Sequence, residues 1–211
     1  MEHEWEDELY CVILAGPNGS GKSTIAKEIE TPGEFINADH IEAALKREGN
    51  PNAGSIAAGK IAIKAINNKI ETRKSFTYET TLSSHQSMNV IRSAKDHGYT
   101  VDLLFVCVNS TLLNVKRVQS RVEQGGHDIP IEAITRRYDK SFSNLSPALQ
   151  LVDTALIYDN SGESPQLIAH VEDRMVIATN FEDGNELHER IFGILRDNFE
   201  ITSDAKKPGP R

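Results

Sequence analysis

The hydrophobic positions of this chain alternate between short, nearly unbroken runs and longer stretches with helical periodicity. Tyr10 to Ala15 is continuously apolar and Val101 to Val108 nearly so, the pattern of parallel strands buried on both faces. Phe35-Ile36-Asn37, Phe76 to Thr80 and Thr154 to Asp159 read as further strands, and Leu167 to Ala178 as an edge strand or a hairpin. Helices are predicted over Lys22 to about Glu30, about His40 to Arg47, and Ser55 to Arg73, the last with Ile56, Ile63, Ile66 and Ile70 on one face. More follow over Gln86 to His97, Leu112 to Glu123, Ile131 to Asp139 (or on past Ser143), and Glu186 to Phe199. Pro32-Gly33, Gly49 to Gly54, Gly98 and the break from Gln124 to Pro130 punctuate the series. Strands alternating with helices predict an α/β fold, a parallel sheet flanked by helices. One domain is expected over residues 1–202, with a disordered tail from Ser203 to Arg211, which is polar and proline-containing.

Composition narrows the picture. The 211 residues suit one domain rather than two. No apolar stretch approaches the ~18–20 residues of a membrane span. Met1 to Glu8 is acidic and lacks the basic start and apolar middle of a secretory signal. The two cysteines, Cys11 and Cys107, sit inside apolar runs and read as core residues of a reduced, cytoplasmic protein. A formal net charge of −8 disfavours a protein that tracks a polynucleotide backbone, where neutralising phosphates supplies most of the affinity.

Candidate chemistry begins where the first strand ends. Gly16-Pro17-Asn18-Gly19-Ser20-Gly21-Lys22-Ser23 fits GxxxxGK[ST] completely, between a strand and a helix, with Thr24 following. Glycines let consecutive backbone N–H groups converge on a phosphate, and the following helix adds its positive end. Lys22 is placed to reach the β- and γ-phosphates of a nucleoside triphosphate, and the Ser23 hydroxyl to ligate Mg²⁺. Neither an NKxD guanine-reading motif nor a strand ending in paired acidic residues is present.

Strand ends supply the rest. Asp39, after Asn37-Ala38, is a candidate base for an acceptor hydroxyl. It is equally a candidate helix N-cap, with Glu42 reaching back from the capping-box position. Tyr78-Glu79-Thr80-Thr81 ends a strand at the same sheet edge. There Glu79, Thr80 and Thr81 are candidates for the acceptor or a metal-bound water, or simply solvated polar residues. Arg117 and Arg121 share a helix face. With Arg136 and Arg137 beyond the glycine break they predict a helical lid over about residues 112–140, whose arginines stabilise a transferring phosphoryl group. The competing reading is a salt-bridged surface hairpin. His127-Asp128, without a third partner, reads as ordering the loop rather than holding a metal. Asn160, at the end of the last buried strand, either hydrogen-bonds adenine or starts a turn with Gly162.

In this order the pieces resemble the zeta toxin family of P-loop kinases: the loop Gly16 to Thr24, Asn37-Ala38-Asp39, Tyr78 to Thr81, Arg121 through Gly125-Gly126-His127-Asp128-Ile129-Pro130 to Arg137, and Tyr158 to Gly162. The resemblance implies ATP- and Mg²⁺-dependent phosphorylation of a small-molecule hydroxyl, with UDP-activated amino sugars such as UDP-N-acetylglucosamine as the family's acceptors. It implies Lys22 on the phosphates, Asp39 as base, Glu79 with its threonines facing the acceptor, and Arg121 with Arg136 or Arg137 on the phosphoryl group. It also leaves room for an antitoxin-like protein partner. Two other readings stand beside it, a nucleic-acid 5′-end kinase and an ATP-binding regulatory module with little phosphotransfer.

Overall fold

The computed structural model describes residues 8–50, 54–126 and 128–201. The expected tail, the residues before Glu8, and His127 of the His127-Asp128 pair lie outside them.

A sheet of eight strands in the order β2-β3-β1-β4-β5-β6-β7-β8 organises these residues. Its core is parallel: β1 (Tyr10–Ala15) lies between β3 (Phe76–Thr80) and β4 (Thr100–Cys107), with β2 (Glu34–Asn37) outside β3 and β5 (Thr154–Asp159) outside β4. β1 and β4 are buried almost along their whole length, which is why they read as apolar runs. The register brings Ala15 beside Thr80 and Phe105, Asn37 beside Glu79, and Cys107 beside Asp159, so the carboxyl ends of the strands form one rim. Cys11 and Cys107 are both fully buried, and burial pushes both thiols up from the ordinary value.

The helices cover this sheet: α1 (Lys22–Ile25), α2 (Ala38–Arg47), α3 (Ser55–Glu71), α4 (His85–Asp96), α5 (Thr111–Glu123), α6 (Ile131–Leu149) and α7 (Glu186–Arg196). Several boundaries differ from those read in the sequence. α1 stops at Ile25 rather than near Glu30, because Lys27 and Glu28 turn their N–H groups to carbonyls three residues back (Thr24 and Ile25). α6 continues to Leu149 with Pro147 inside it. The buried stripe of α3 is Ala58, Ala62, Ile66 and Ile70, and Ile56 is 77% exposed in the first turn. A run of fours, not the isoleucines alone, defines the packed face, since small alanines let α3 approach its neighbours.

The segment from Leu167 resolves as a hairpin. β6 (Gln166–Glu172) and β7 (Met175–Thr179) are antiparallel, joined through Asp173 and Arg174, both at positive φ (48° and 63°), the backbone that a two-residue hairpin turn requires. β8 (Glu200–Ile201), which no sequence pattern announced, adds a short parallel edge to β7. Among the described residues no helix is long and apolar enough to cross a membrane.

Candidate active site

The connection from β1 to α1 is a tight cradle. Gly19 and Gly21 have φ of 77° and 94°, and neighbours crowd both. A Cβ on Gly19 would lie 2.6 Å from the Asn114 carbonyl oxygen, and one on Gly21 would lie 2.0 Å from Asn160 Nδ2. Only glycine satisfies both the backbone sign and the space. Pro17 closes the turn by accepting from Ser20 N–H (3.2 Å). Ser20 is fully buried, its Oγ without a hydrogen-bond partner, while Ser23 and Thr24 are exposed at the start of α1.

Lys22 is 7% exposed and folds its ammonium back over the loop, donating to the carbonyls of Gly16 (2.9 Å) and Pro17 (3.1 Å), with Glu79 Oε1 at 3.9 Å. Burial lowers its pKa, the carboxylates of Glu79 and Asp39 pull it up, and the guanidinium groups of Arg121 and Arg137 push it down. A buried cation in competition with two others is a place where an anion is favoured. Loop shape and charge together fit a phosphate chain.

Asn37, not Asp39, caps α2. Its Oδ1 accepts from the N–H groups of Asp39 (2.7 Å) and His40 (3.4 Å), and its Nδ2 donates to Glu79 Oε2 (2.9 Å). The capping-box reading of Asp39 is thereby corrected: two residues earlier, a β-strand φ/ψ at Asn37 already provides the cap geometry. Asp39 is left exposed in the first helical turn, lining the cleft, with its carboxylate uncommitted to capping.

That cleft has a volume of about 440 Å³ and lies between α2, α3, the end of β3 and α6. Asn18, Lys22, Asp39, Glu79, Arg136, Arg137 and Lys140 supply its charged and amide groups, and Ile56, Gly59 and Tyr78 its apolar wall. This is the size of a small-molecule site. Thr81 and Ser83 meet there (Oγ to Oγ, 2.8 Å), with Ser84 nearby. Thr80 is buried. Its hydroxyl is shared with Ser87 (2.8 Å) and accepts from Leu82 N–H (3.2 Å), so it shapes the turn, and the residue also lines the cleft. That turn is strained: Leu82 is fully buried at φ 56°, held by Asn144 Nδ2 on its carbonyl (2.8 Å) and by Ser141 on the Thr81 carbonyl.

The arginines separate. Arg137 of α6 donates to Asn18 Oδ1 (3.1 Å) and lines the cleft, Arg136 lines it from the same helix, and Arg121 acts on Lys22 by charge from the end of α5. Arg117 is half-buried on α5, outside the cleft lining. The α5 terminus is fixed by Gly126 N–H to Arg121 O (2.9 Å) and Gly125 N–H to Val122 O (2.9 Å), a pairing that closes helices. Asn160 is 7% exposed and gives Nδ2 to Ser20 O (2.8 Å). One N–H of this amide is thus engaged with the loop. Asp159 is tied on one side to Ser161 (N–H 2.8 Å) and on the other to His188 Nε2 (3.1 Å). Fully buried His188 accepts Glu182 N–H at Nδ1 (2.9 Å), which leaves Nε2 to face Asp159.

Sequence reasoning missed Asn37, Lys140, Ile56, Asn114 and His188. Lys140 lies four residues after Arg136, a spacing that carries it to the same helix face. Asn37 had a cap signal as good as that of Asp39. Among the described residues no group of three metal-ligating side chains exists. The oxygen donors at hand (Ser23, Asp39, Glu79) suit Mg²⁺, which usually rides on substrate phosphates with water and one or two carboxylates.

Residues 8–167 match the family described as Zeta toxin, and the chain belongs to that family. A protein of Haemophilus influenzae (strain ATCC 51907 / DSM 11121 / KW20 / Rd), described as uncharacterized, is 31% identical over 135 residues, 64% of this chain and 96% of that protein. Among solved structures, a chain of the AvrRxo1-ORF1:AvrRxo1-ORF2 complex with sulphate ions superposes with TM-score 0.69 at 14% identity, over 93% of this chain and 66% of that one. The same complex with ATP gives 0.68 at 15% identity, again over 93% of this chain and 66% of that one. The PezAT toxin–antitoxin system of Streptococcus pneumoniae gives 0.55 at 19% identity, over 75% of this chain and 72% of that one. This chain therefore spans just under two thirds of these two AvrRxo1 chains. The shared feature is the fold, a mostly parallel P-loop kinase sheet flanked by helices.

Proposed function

We propose that this zeta toxin family member is an ATP-dependent kinase that phosphorylates a hydroxyl of a small molecule, with a UDP-activated amino sugar such as UDP-N-acetylglucosamine as the acceptor. One observation carries the reading: a single cleft joins the buried Lys22 ammonium and Asn18 of the glycine loop to Asp39, Glu79, Arg136 and Arg137. The similarity to a chain solved with ATP supports the nucleotide.

In this account Asp39 takes the proton of the acceptor hydroxyl as its oxygen bonds to the γ-phosphorus. The bond from that phosphorus to the β,γ-bridging oxygen breaks, and ADP leaves with the electron pair. Lys22, Arg137 and Arg136 or Arg121 stabilise the charge spread over the γ-phosphoryl oxygens. Glu79, steered by Asn37, holds the acceptor together with Thr81. Mg²⁺, held by Ser23 and by Glu79 through water, would neutralise the β- and γ-phosphate charge. α5 and α6 form the lid, and residues 1–202 form one kinase domain working in the cytoplasm. Likeness to PezAT and to the AvrRxo1-ORF1:AvrRxo1-ORF2 complex supports a neutralising protein partner as well.

ATP turnover with and without candidate acceptors tests the activity class. Acceptor-stimulated ADP release is expected. Nucleotide binding whose slow turnover no acceptor changes would instead describe a regulatory module.

A further inference from the structure

The two helices that carry the candidate phosphoryl-binding arginines meet the phosphate loop at one residue. Asn18 is 7% exposed. Its backbone carbonyl accepts from Asn114 Nδ2 of α5 (2.5 Å), and its side-chain Oδ1 accepts from Arg137 Nη1 of α6 (3.1 Å). α5 is already as close as the loop permits, since a Cβ on Gly19 would strike the Asn114 carbonyl oxygen. Arg137 is thereby held where its charge acts on Lys22.

The chemistry of an amide oxygen suits a temporary partner. An amide oxygen fixes the planar guanidinium with a single hydrogen bond and no opposing charge, whereas a carboxylate would add an ion pair and could accept two parallel N–H bonds. A carboxylate at this position would compete with a phosphate for Arg137. An alkyl side chain would leave the long arginine free to wander among its rotamers, and that freedom must be surrendered when ligand arrives.

We propose that Asn18 is a positioning residue that parks Arg137 at the edge of the phosphate cradle and releases it to the terminal phosphate of a bound triphosphate. The proposal rests on the kinase reading of this cleft, and it adds a role for a side chain distinct from the loop's backbone contacts. Its signature is selective: Asn18 acts on affinity for the third phosphate through Arg137 and leaves diphosphate binding alone.

The test measures dissociation constants of the full chain, in Mg²⁺ buffer, for ADP and for the non-hydrolysable β,γ-imido analogue of ATP. The proteins are wild type, Asn18→Ala, Arg137→Ala and the double variant, with Asn18→Asp as an isosteric control. Wild type should favour the triphosphate. Arg137→Ala should remove about tenfold of that preference, and Asn18→Ala about threefold, with ADP affinity changed less than about twofold. The double variant should match Arg137→Ala alone, because residues acting as one unit are not additive. Asn18→Asp should lose more of the preference than Asn18→Ala while melting no lower than wild type. Equal weakening of both nucleotides by Asn18→Ala, or effects that multiply in the double variant, would overturn the proposal. Wild type that binds neither nucleotide would overturn the kinase reading itself, and the proposal with it.

Discussion

The cradle and the acceptor cleft share Lys22 and Asn18 but are built in opposite ways. The cradle is braced from three directions: Asn114 of α5 on Asn18 O, Arg137 of α6 on Asn18 Oδ1, and Asn160 after β5 on Ser20 O. Behind Asn160 stands the chain Asp159–His188–Glu182, with His188 supplied by α7, beyond the residues matched to the family. The proposed acceptor side of the cleft adds to its buried floor (Asn37, Tyr78, Thr80) a set of exposed side chains from the starts of α2 and α3, the turn before α4 and one face of α6: Asp39, Ile56, Ser84, Arg136 and Lys140. A triphosphate presents the same oxygens in every such enzyme, so its site can be rigid and buried. An acceptor site assembled from exposed side chains can change without unfolding the protein.

This contrast sorts substitutions by what they break. Lys22→Ala removes the ammonium buried in the cradle and should lower phosphotransfer by about 10³-fold or more, measured as ADP release at saturating ATP. Melting should fall little, because burial makes this ammonium costly to keep in the absence of an anion.

Asn160→Ala should act more mildly and through binding. It leaves the buried Ser20 carbonyl without its partner, a loss of about 1–3 kcal/mol. We expect KM for ATP to rise about tenfold, with a lower melting temperature and a kcat within a few-fold of wild type. A large fall in kcat at unchanged KM would instead mean that Asn160 touches the reacting phosphate.

Ile56→Ala should have the smallest effect. At 77% exposure it contributes little to stability, and melting should shift within the range of ordinary surface substitutions, about ±0.5 kcal/mol. KM for the acceptor should rise about two- to fivefold, the worth of a partly covered apolar contact, while KM for ATP stays fixed. The reverse pattern would mean that the apolar wall serves the nucleotide.

The same contrast explains what the sequence could reveal. Gly19, Gly21 and Lys22 are demanded by backbone sign, space and charge within one short segment, so their spacing alone declares a phosphate site. β1, β4 and the break at Gly125-Gly126 were equally plain, because burial on both faces and helix closure each leave a local pattern. The acceptor side depends on which strand end meets which helix. Glu79 is tied to Asn37 across the sheet register, forty-two positions away in sequence, and periodicity carries no trace of that pairing. The choice of cap at α2 turned on Asn37 keeping a strand conformation, which placed Asp39 inside the helix rather than before it. Among the arginines, only packing of α6 on the loop separates Arg137 from Arg117.

In the proposed kinase, Asp39 serves chemistry at a small-molecule hydroxyl. The most direct test is transfer of label from γ-labelled ATP to a panel of UDP-sugars, nucleosides and small alcohols, with wild type and Asp39→Asn side by side. Asp39→Asn leaves the Asn37 cap in place and removes only a first-turn charge worth about 0.3–1 kcal/mol, so the fold should persist. A labelled UDP-amino sugar is expected with wild type, and a loss of about 10²–10³-fold with Asp39→Asn, at similar ATP affinity. Equal labelling by both proteins, or ATP binding with no labelled acceptor from any member of the panel, would contradict that role.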